Sequence, residues 1–251
     1  MARISYPRVM GHRGAAAEAP ENTLVSIRHA ADCGLAWVEF DTMLTGDDVP
    51  VVFHDDALAR TTGAPGLMAE TSFAELDGLD AGAWFGPGFA GEPVPSLEAA
   101  VGLVFELGLR ANIEIKPSQG REAITAERVM ETLFACWPAE GPPPLVSSFK
   151  IECLKIAQEM RPDWPRAFIS RQPQKSWRAP LKAAACVGFH CYHKRLSAKT
   201  AGEVKAAGYA LACFTVNEAA RAMSLFDMGV DCVVSDDPRA LAEALGQAVL
   251  G

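Results

Sequence analysis

The sequence repeats one pattern eight times: a short apolar run typical of a β-strand, followed by an amphipathic run typical of a helix. Most strand runs are apolar almost throughout, as expected for strands that are buried on both faces. Eight alternations in 251 residues match a TIM (β/α)8 barrel in number and in length. The strand runs are 8–11, 37–42, 110–116, 145–149, 166–170, 187–192, 209–215 and 232–235, and the helical runs are 24–33, 97–107, 124–136, 151–160, 180–186, 198–207, 218–228 and 238–249.

An open, doubly wound α/β sheet would show the same alternation of strands and helices. Such a sheet commonly carries a phosphate-binding glycine fingerprint after its first strand, and none follows residues 8–11. We therefore predict the closed barrel.

The alternation is interrupted after the second strand. Residues 45–48 read as a turn, and residues 49–53 then run extended to His54. So short a connection predicts an antiparallel hairpin, which would bring His54 roughly opposite Asp41. Residues 56–95 follow, rich in Gly, Pro and Asp, and they are too long for an ordinary loop of this fold. We predict one barrel domain over 1–251 with a small inserted subdomain, 56–95, over the barrel mouth.

Charge and cysteine content exclude several classes of protein. A net charge of −8 argues against a nucleic-acid partner, because binding a phosphate backbone needs a positive field. The first ten residues lack the apolar region of a secretory signal, and no run is long enough to predict a membrane anchor. The seven cysteines form no C-x-x-C pair, so we expect neither disulfides nor zinc and predict a cytoplasmic protein.

Acidic side chains stand near the ends of two predicted strands. Glu39 and Asp41 share one face of the second strand because side chains alternate, and Glu114 lies in the third barrel strand. Inward-facing side chains at the C-terminal ends of barrel strands build the active site. Three converging carboxylates would repel one another without a cation, and all-oxygen ligation predicts one Mg²⁺ or Ca²⁺ ion. Solvated acids, or an internal Glu114–Lys116 ion pair, are the alternatives.

Two histidines are predicted at the same end of the barrel. His12 follows the first strand and the hairpin returns His54 to the second. Cleavage of a phosphodiester needs one proton removed and one supplied, and imidazoles, with an ordinary pKa near ~6.5, can do both near neutral pH. Arg13 and Lys116 could hold the nonbridging phosphate oxygens. One histidine alone could equally be structural; two at one end favour catalysis.

Short motifs follow one another along the chain. They are GHRG at 11–14, PENT at 20–23, EFD at 39–41, PVVFHD at 50–55, EIK at 114–116, SSF at 147–149, FTVN at 214–217, and GVD at 229–231 leading to SD at 235–236. In this order, over nearly the whole chain, they resemble the glycerophosphodiester phosphodiesterase family of the bacterial cytoplasmic type. Two departures are Phe214, where the family has Trp, and a hairpin turn reading Gly-Asp-Asp where the family favours Lys-Asp-Gly.

The resemblance implies a barrel of the phospholipase-C-like phosphodiesterase type. The enzyme would hydrolyse glycerophosphodiesters, such as glycerophosphocholine or glycerophosphoethanolamine, to glycerol 3-phosphate and an alcohol. The resemblance also implies a role for each site residue: Glu39, Asp41 and Glu114 as metal ligands, His12 and His54 as general acid and base, Arg13 and Lys116 on the phosphate, and Phe149, Phe214 and Asn217 as further substrate contacts.

Two other functions remain open at this point. A lysophospholipase D or lyase of the same superfamily would favour an exposed apolar ridge near the mouth. A non-catalytic phosphoester-binding barrel would be expected to have lost a histidine or a carboxylate. For each function we expect a small-molecule ligand. A homo-oligomer is possible, and the sequence leaves the oligomeric state open. His190 and Tyr192 share one face of their strand and are predicted to pack in the core or line the pocket.

Overall fold

In the computed structural model, which describes residues 4–174 and 177–246, eight parallel strands close into a barrel and a further strand forms a hairpin. The strands are β1 (Val9–His12), β2 (Trp37–Leu44), β3 (Pro50–Val52), β4 (Arg110–Ile115), β5 (Leu145–Ser148), β6 (Arg166–Ser170), β7 (Gly188–Tyr192), β8 (Ala210–Phe214) and β9 (Cys232–Ser235). Strand β1 pairs in parallel with both β2 and β9, which closes the ring. The predicted TIM barrel is confirmed, and the open sheet is excluded.

Helices connect the strands around the outside of the barrel. They are α1 (Leu24–Asp32), α2 (Ala59–Thr62), α3 (Phe73–Leu76), α4 (Leu97–Glu106), α5 (Glu122–Cys136), α6 (Ile151–Met160), α7 (Arg178–Ala183), α8 (Ala198–Ala206), α9 (Ala219–Asp227) and α10 (Pro238–Leu245). Side-chain caps begin several of them, for example Thr23 before α1 and Ser96 before α4. The predicted boundaries within the described residues coincide with the observed ones or lie within two residues of them, except that α7 ends at Ala183 where 186 was predicted. The predicted end of the last helix, at 249, lies outside the described residues.

The main core lies between the strands and the surrounding helices. Phe40, Ile113 and Phe189 are fully buried there. A smaller cluster inside the barrel includes Met10 and Trp37, with Tyr6 packed against it. Trp37 begins β2, so Tyr6 lies towards the N-terminal end of the strands and helps to fill that end. The cavity described below lies at the opposite, C-terminal end.

The hairpin and the segment 56–95 share a cluster of their own. Leu58, Met68 and Leu76 pack on the hairpin residues Met43 and Val51. This packing explains why the segment folds against β2 and β3. That it forms a separate subdomain over the mouth stays our proposal.

The hairpin has the predicted antiparallel pairing, with Thr42 opposite Val52. The backbone N–H of Phe53 donates to the carbonyl of Asp41 at 3.1 Å. Phe53 is therefore the residue opposite Asp41, and His54 lies one position further along.

The described residues contain none of the long apolar helices that crossing a membrane would require. All seven cysteines are free, and six of them are buried. Buried thiols of this kind pack as small apolar side chains.

Candidate active site

One cavity of about 100 Å³ opens at the C-terminal ends of the strands. Nine of the ten predicted site residues line it, and Asn217 does not. The residues it gathers come from most of the barrel strands: His12, Arg13, Glu39, Asp41, His54, Asn112, Glu114, Lys116, Phe149, Ile169, Arg171, His190, Phe214, Thr215 and Val234. The structure thus brings together groups that lie up to about two hundred residues apart in the chain.

Three buried carboxylates form the acidic part of the cavity. Glu39, Asp41 and Glu114 each place an oxygen within 4.8 Å of the others. Asp41 and Glu114 are register partners on β2 and β4. Burial raises the pKa of Glu114 to about 8, and the charge of Asp41 adds to the effect. Burial, together with Asp41 and Glu114, raises the pKa of Glu39 well above its usual value. Such a cluster could hold a metal ion.

Asp41 differs from its two neighbours because cations and an amide surround it. Arg13 Nε lies 3.2 Å and Lys116 Nζ 3.5 Å from its carboxylate. The Asn22 amide donates to the carboxylate at 3.0 Å, and the Asn22 carbonyl oxygen accepts the backbone N–H of Asp41. Burial opposes ionisation, but Lys116 and Arg13 outweigh it and hold the pKa of Asp41 below its usual range.

A tight turn after β1 aims Arg13 into the cavity. Arg13 has φ of 51° and Gly14 has φ of 93°. A Cβ atom on Gly14 would lie 2.2 Å from Ser26 Oγ, so only glycine fits beside α1. The turn also lets the Arg13 backbone N–H donate to Glu39 at 3.1 Å. This local geometry explains why the second residue after His12 is glycine.

His12 is held by a residue from the far end of the chain. Its Nδ1 lies 2.6 Å from the carboxylate of Asp236, which can only accept a hydrogen bond when ionised. Burial opposes ionisation, but the hydrogen bond from His12 lowers the pKa of Asp236. Asn217 in turn donates to Asp236 at 2.9 Å. Asn217 therefore contacts the partner of His12, and its assignment as a substrate contact stays a prediction.

His54 is held by the residue next to it. Its Nδ1 lies 2.5 Å from Asp55, and Arg60 Nε donates to the other carboxylate oxygen of Asp55 at 2.5 Å. Arg60 also donates twice to Glu21, which accepts from Arg13 at 2.6 Å. Burial raises the pKa of Asp55, but Arg60 and His54 outweigh it and lower the pKa to about 2.

Burial and nearby charges act together on the protonation of His54. Burial lowers the pKa of His54, as do the charges of Arg13 and Lys116, although Asp41 opposes them. In both histidines Nδ1 faces a carboxylate, which leaves Nε2 as the nitrogen available to other groups. Both imidazoles are thus oriented for proton transfer within one cavity.

Apolar side chains form the rest of the wall. Phe149 and Phe214 meet edge to face, with ring centroids 5.9 Å apart. His190 is fully buried and lies 2.7 Å, through Nε2, from the hydroxyl of Tyr6, and burial lowers its pKa to about 3. Its neutral imidazole lines the cavity and also packs in the core. The two positions predicted for His190, in the core or in the pocket wall, are therefore both found.

This arrangement suits acid–base chemistry on an anion. The cations can hold negative oxygens, and the imidazoles can move protons. Phosphoester cleavage needs both, so fold and site together define a barrel enzyme that acts on phosphoesters.

The chain belongs to the Glycerophosphoryl diester phosphodiesterase family, whose profile matches residues 12–240. A phosphodiesterase of Oleispira antarctica, solved in complex with its product sn-glycerol-3-phosphate, is 38% identical, covers 95% of this chain and 96% of its own, and superposes with a TM-score of 0.92. YhdW of Bacillus subtilis (strain 168) is 33% identical over 92% of this chain and 94% of its own length. Glycerophosphodiester phosphodiesterase of Caldanaerobacter subterraneus subsp. tengcongensis is 29% identical over 93% and 95%. The family and the class of enzyme predicted from the sequence are confirmed.

Sequence reasoning assigned no role to several residues that the structure places at the site. Asn22, Asp55 and Asp236 lie within the family motifs quoted above, and that was the one available signal for them. Arg60 and Arg171 carried no signal beyond their charge. Their contacts depend on how distant segments meet in space.

Proposed function

We propose that this enzyme hydrolyses glycerophosphodiesters to glycerol 3-phosphate and an alcohol, that it requires one divalent cation, and that His12 and His54 are its general acid and base. One observation carries the proposal: three carboxylates, two oriented imidazoles and three cations, among them Arg13 and Lys116, line the same cavity. The product bound to the Oleispira antarctica phosphodiesterase supports glycerol 3-phosphate as the phosphorylated product. A cavity at the mouth of the barrel suits a small-molecule substrate.

The acidic cluster fits a hard cation. Glu39, Asp41 and Glu114 offer oxygen ligands only, within 4.8 Å of one another, which is the donor chemistry of Mg²⁺ and Ca²⁺. Burial raises the pKa of Glu114 to about 8 and the charge of Asp41 adds to this, so a bound cation would favour the ionised carboxylate. We propose these three residues as the ligands. When bound, the ion would neutralise charge on the phosphate.

The chain's own residues supply the remaining steps. Arg13 and Lys116 hold the nonbridging oxygens, Arg13 through its planar fork and Lys116 as a point charge. One imidazole accepts, at Nε2, the proton that the nucleophile loses. The other donates a proton from Nε2 to the alcohol oxygen as it leaves. If water is the nucleophile, these two transfers give glycerol 3-phosphate and the alcohol directly. If the neighbouring glycerol hydroxyl attacks, they release the alcohol and leave a cyclic glycerol phosphate, which water then opens with a second pair of proton transfers.

A chelation assay tests the proposed metal. Hydrolysis of glycerophosphocholine and glycerophosphoinositol should stop in EDTA and return with Mg²⁺ or Ca²⁺. Glu114→Gln should abolish cation binding in a calorimetric titration. The control variant Glu131→Gln, at an exposed position of α5, should bind the ion as wild type does. Full turnover in EDTA contradicts the metal requirement.

A substrate panel tests the proposed reaction class. Glycerophosphodiesters with choline, ethanolamine, glycerol and inositol head groups are compared with lysophospholipids. We expect turnover of the water-soluble diesters with release of glycerol 3-phosphate. Exclusive turnover of lysolipids indicates the lysophospholipase D or lyase function instead, and binding without turnover indicates the non-catalytic barrel.

The cellular location is also proposed and not established. Seven free thiols suit a reducing compartment such as the cytoplasm.

A further inference from the structure

A second, larger groove adjoins the catalytic cavity. It has a volume of about 500 Å³ and shares four wall residues with the cavity: Lys116, Phe149, Ile169 and Arg171. The cavity itself measures about 100 Å³. With the phosphorus of a glycerophosphodiester beside the histidines, the groove is the adjoining space that shares a wall with the cavity and can receive one end of the substrate.

The groove has walls of mixed character, with cationic, polar and apolar side chains. Besides the four shared residues it is lined by Phe168, Ser170 and Gln172, and no acidic side chain lines it. Arg171 follows the last residue of β6, is exposed, and belongs to both spaces. Among residues 4–174 and 177–246, no carboxylate forms an ion pair with its guanidinium. Its hydrogen-bond donors are therefore available to a ligand.

The aromatic wall alone would favour choline, but Arg171 changes that expectation. Quaternary ammonium groups bind to aromatic faces, and Phe149 and Phe214 are near the groove. Arg171 Cζ lies 5.9 Å from the centroid of the Phe149 ring, so a cation already stands beside that ring. A second cation in the groove would meet Arg171 and Lys116, and like charges repel.

We propose that Arg171 and the groove bind the alcohol moiety of the diester and select head groups that carry several hydroxyls or an added negative charge over cationic head groups. The proposal rests on the proposed function, because it names the substrate class for the same site. The open groove suits the part of the substrate that varies, and a guanidinium offers five N–H donors to hydroxyl or acidic oxygens.

The test measures kcat/KM for glycerophosphoinositol, glycerophosphoglycerol and glycerophosphocholine with wild type and Arg171→Gln. Glutamine removes the charge but keeps a similar length. We expect the preference for the inositol or glycerol diester over the choline diester to fall about tenfold, the size of one hydrogen bond to a charged group. Arg28→Gln makes the same charge change on exposed α1 and should leave the preference unchanged.

Every other result of this experiment contradicts one part of the proposal. An equal loss for all three diesters means that Arg171 contacts the shared phosphodiester and not the head group. An unchanged preference in an active Arg171→Gln enzyme means that no head group occupies the groove. Failure of the wild type to hydrolyse any diester overturns the proposed function itself, which distinguishes the two cases. Thermal melting confirms that the variants are folded.

Discussion

His12 and His54 make the same kind of contact but depend on different parts of the molecule. His12 pairs with Asp236, which follows β9, so the barrel itself holds it. His54 pairs with Asp55 on the hairpin, and Arg60 of the inserted segment fixes that aspartate. The barrel thus fixes one imidazole through its closure, whereas the second depends on a chain of ion pairs at the surface of an insertion. The orientation of His54 should therefore be easier to change by mutation without disturbing the fold.

Removing each imidazole is the strongest test of this comparison. His12→Ala and His54→Ala should each lower kcat by about 10²–10⁴-fold, the usual contribution of a general acid or base. His29→Ala, on α1 outside the cavity, is the matched control and should keep wild-type turnover. Steady-state kinetics with glycerophosphocholine measures the effect. Wild-type kcat in either cavity variant removes that histidine from the mechanism.

Removing the orienting carboxylates should have the next largest effect. Asp236→Asn and Asp55→Asn keep the shape but lose a charge-assisted hydrogen bond to an imidazole, which is worth about 1.5–3 kcal/mol. We expect kcat to fall about ten- to a hundredfold, and Asp163→Asn, exposed beside Arg161, to change nothing. A larger loss for Asp236→Asn in stability as well as in rate would show that closure and orientation are linked. Equal melting temperatures for the two variants would contradict that link.

Arg60 should matter less because its side chain is 44% exposed. Arg60→Ala should lower kcat about three- to tenfold with little change in melting temperature, and Arg60→Lys should restore only part of it because lysine lacks the planar fork. Arg128→Ala, which breaks an ion pair at similar exposure, is the control. An effect on KM alone would indicate that Arg60 acts on substrate binding and does not position His54.

The smallest expected effect is on pH dependence. Burial lowers the pKa of His54 in the folded protein, so the folded state favours the neutral ring. Its contribution to stability is present above the unfolded pKa, about 6.5, and is lost as pH falls through the folded pKa. His54→Gln should therefore lose less stability on acidification than wild type does. In Asp55→Asn, NMR titration should find the pKa of His54 lowered further, because Asp55 favours the protonated ring; an unchanged value would contradict this.

The sequence predicted the barrel because its strands are continuous apolar runs separated by amphipathic helices. It predicted Glu39, Asp41 and Glu114 together because alternation and barrel geometry converge at strand ends. It could not predict that Asp236 would meet His12, since that contact joins residues 224 positions apart and depends on how β1 and β9 pair. Nor could it assign Arg60 or Arg171, whose surroundings come from separate loops. Local sequence patterns predict the strands and helices and which side chains share a face. Contacts between loops depend on how the closed barrel is assembled.

The contact between β1 and β9 also determines when the enzyme can finish folding during translation. During synthesis His12 is made 224 residues before its partner Asp236. The ring cannot close and the imidazole cannot be oriented until that strand is released. Catalytic competence should therefore arrive only after β9 and Asp236 have been made, and fragments that stop before β9 should be inactive.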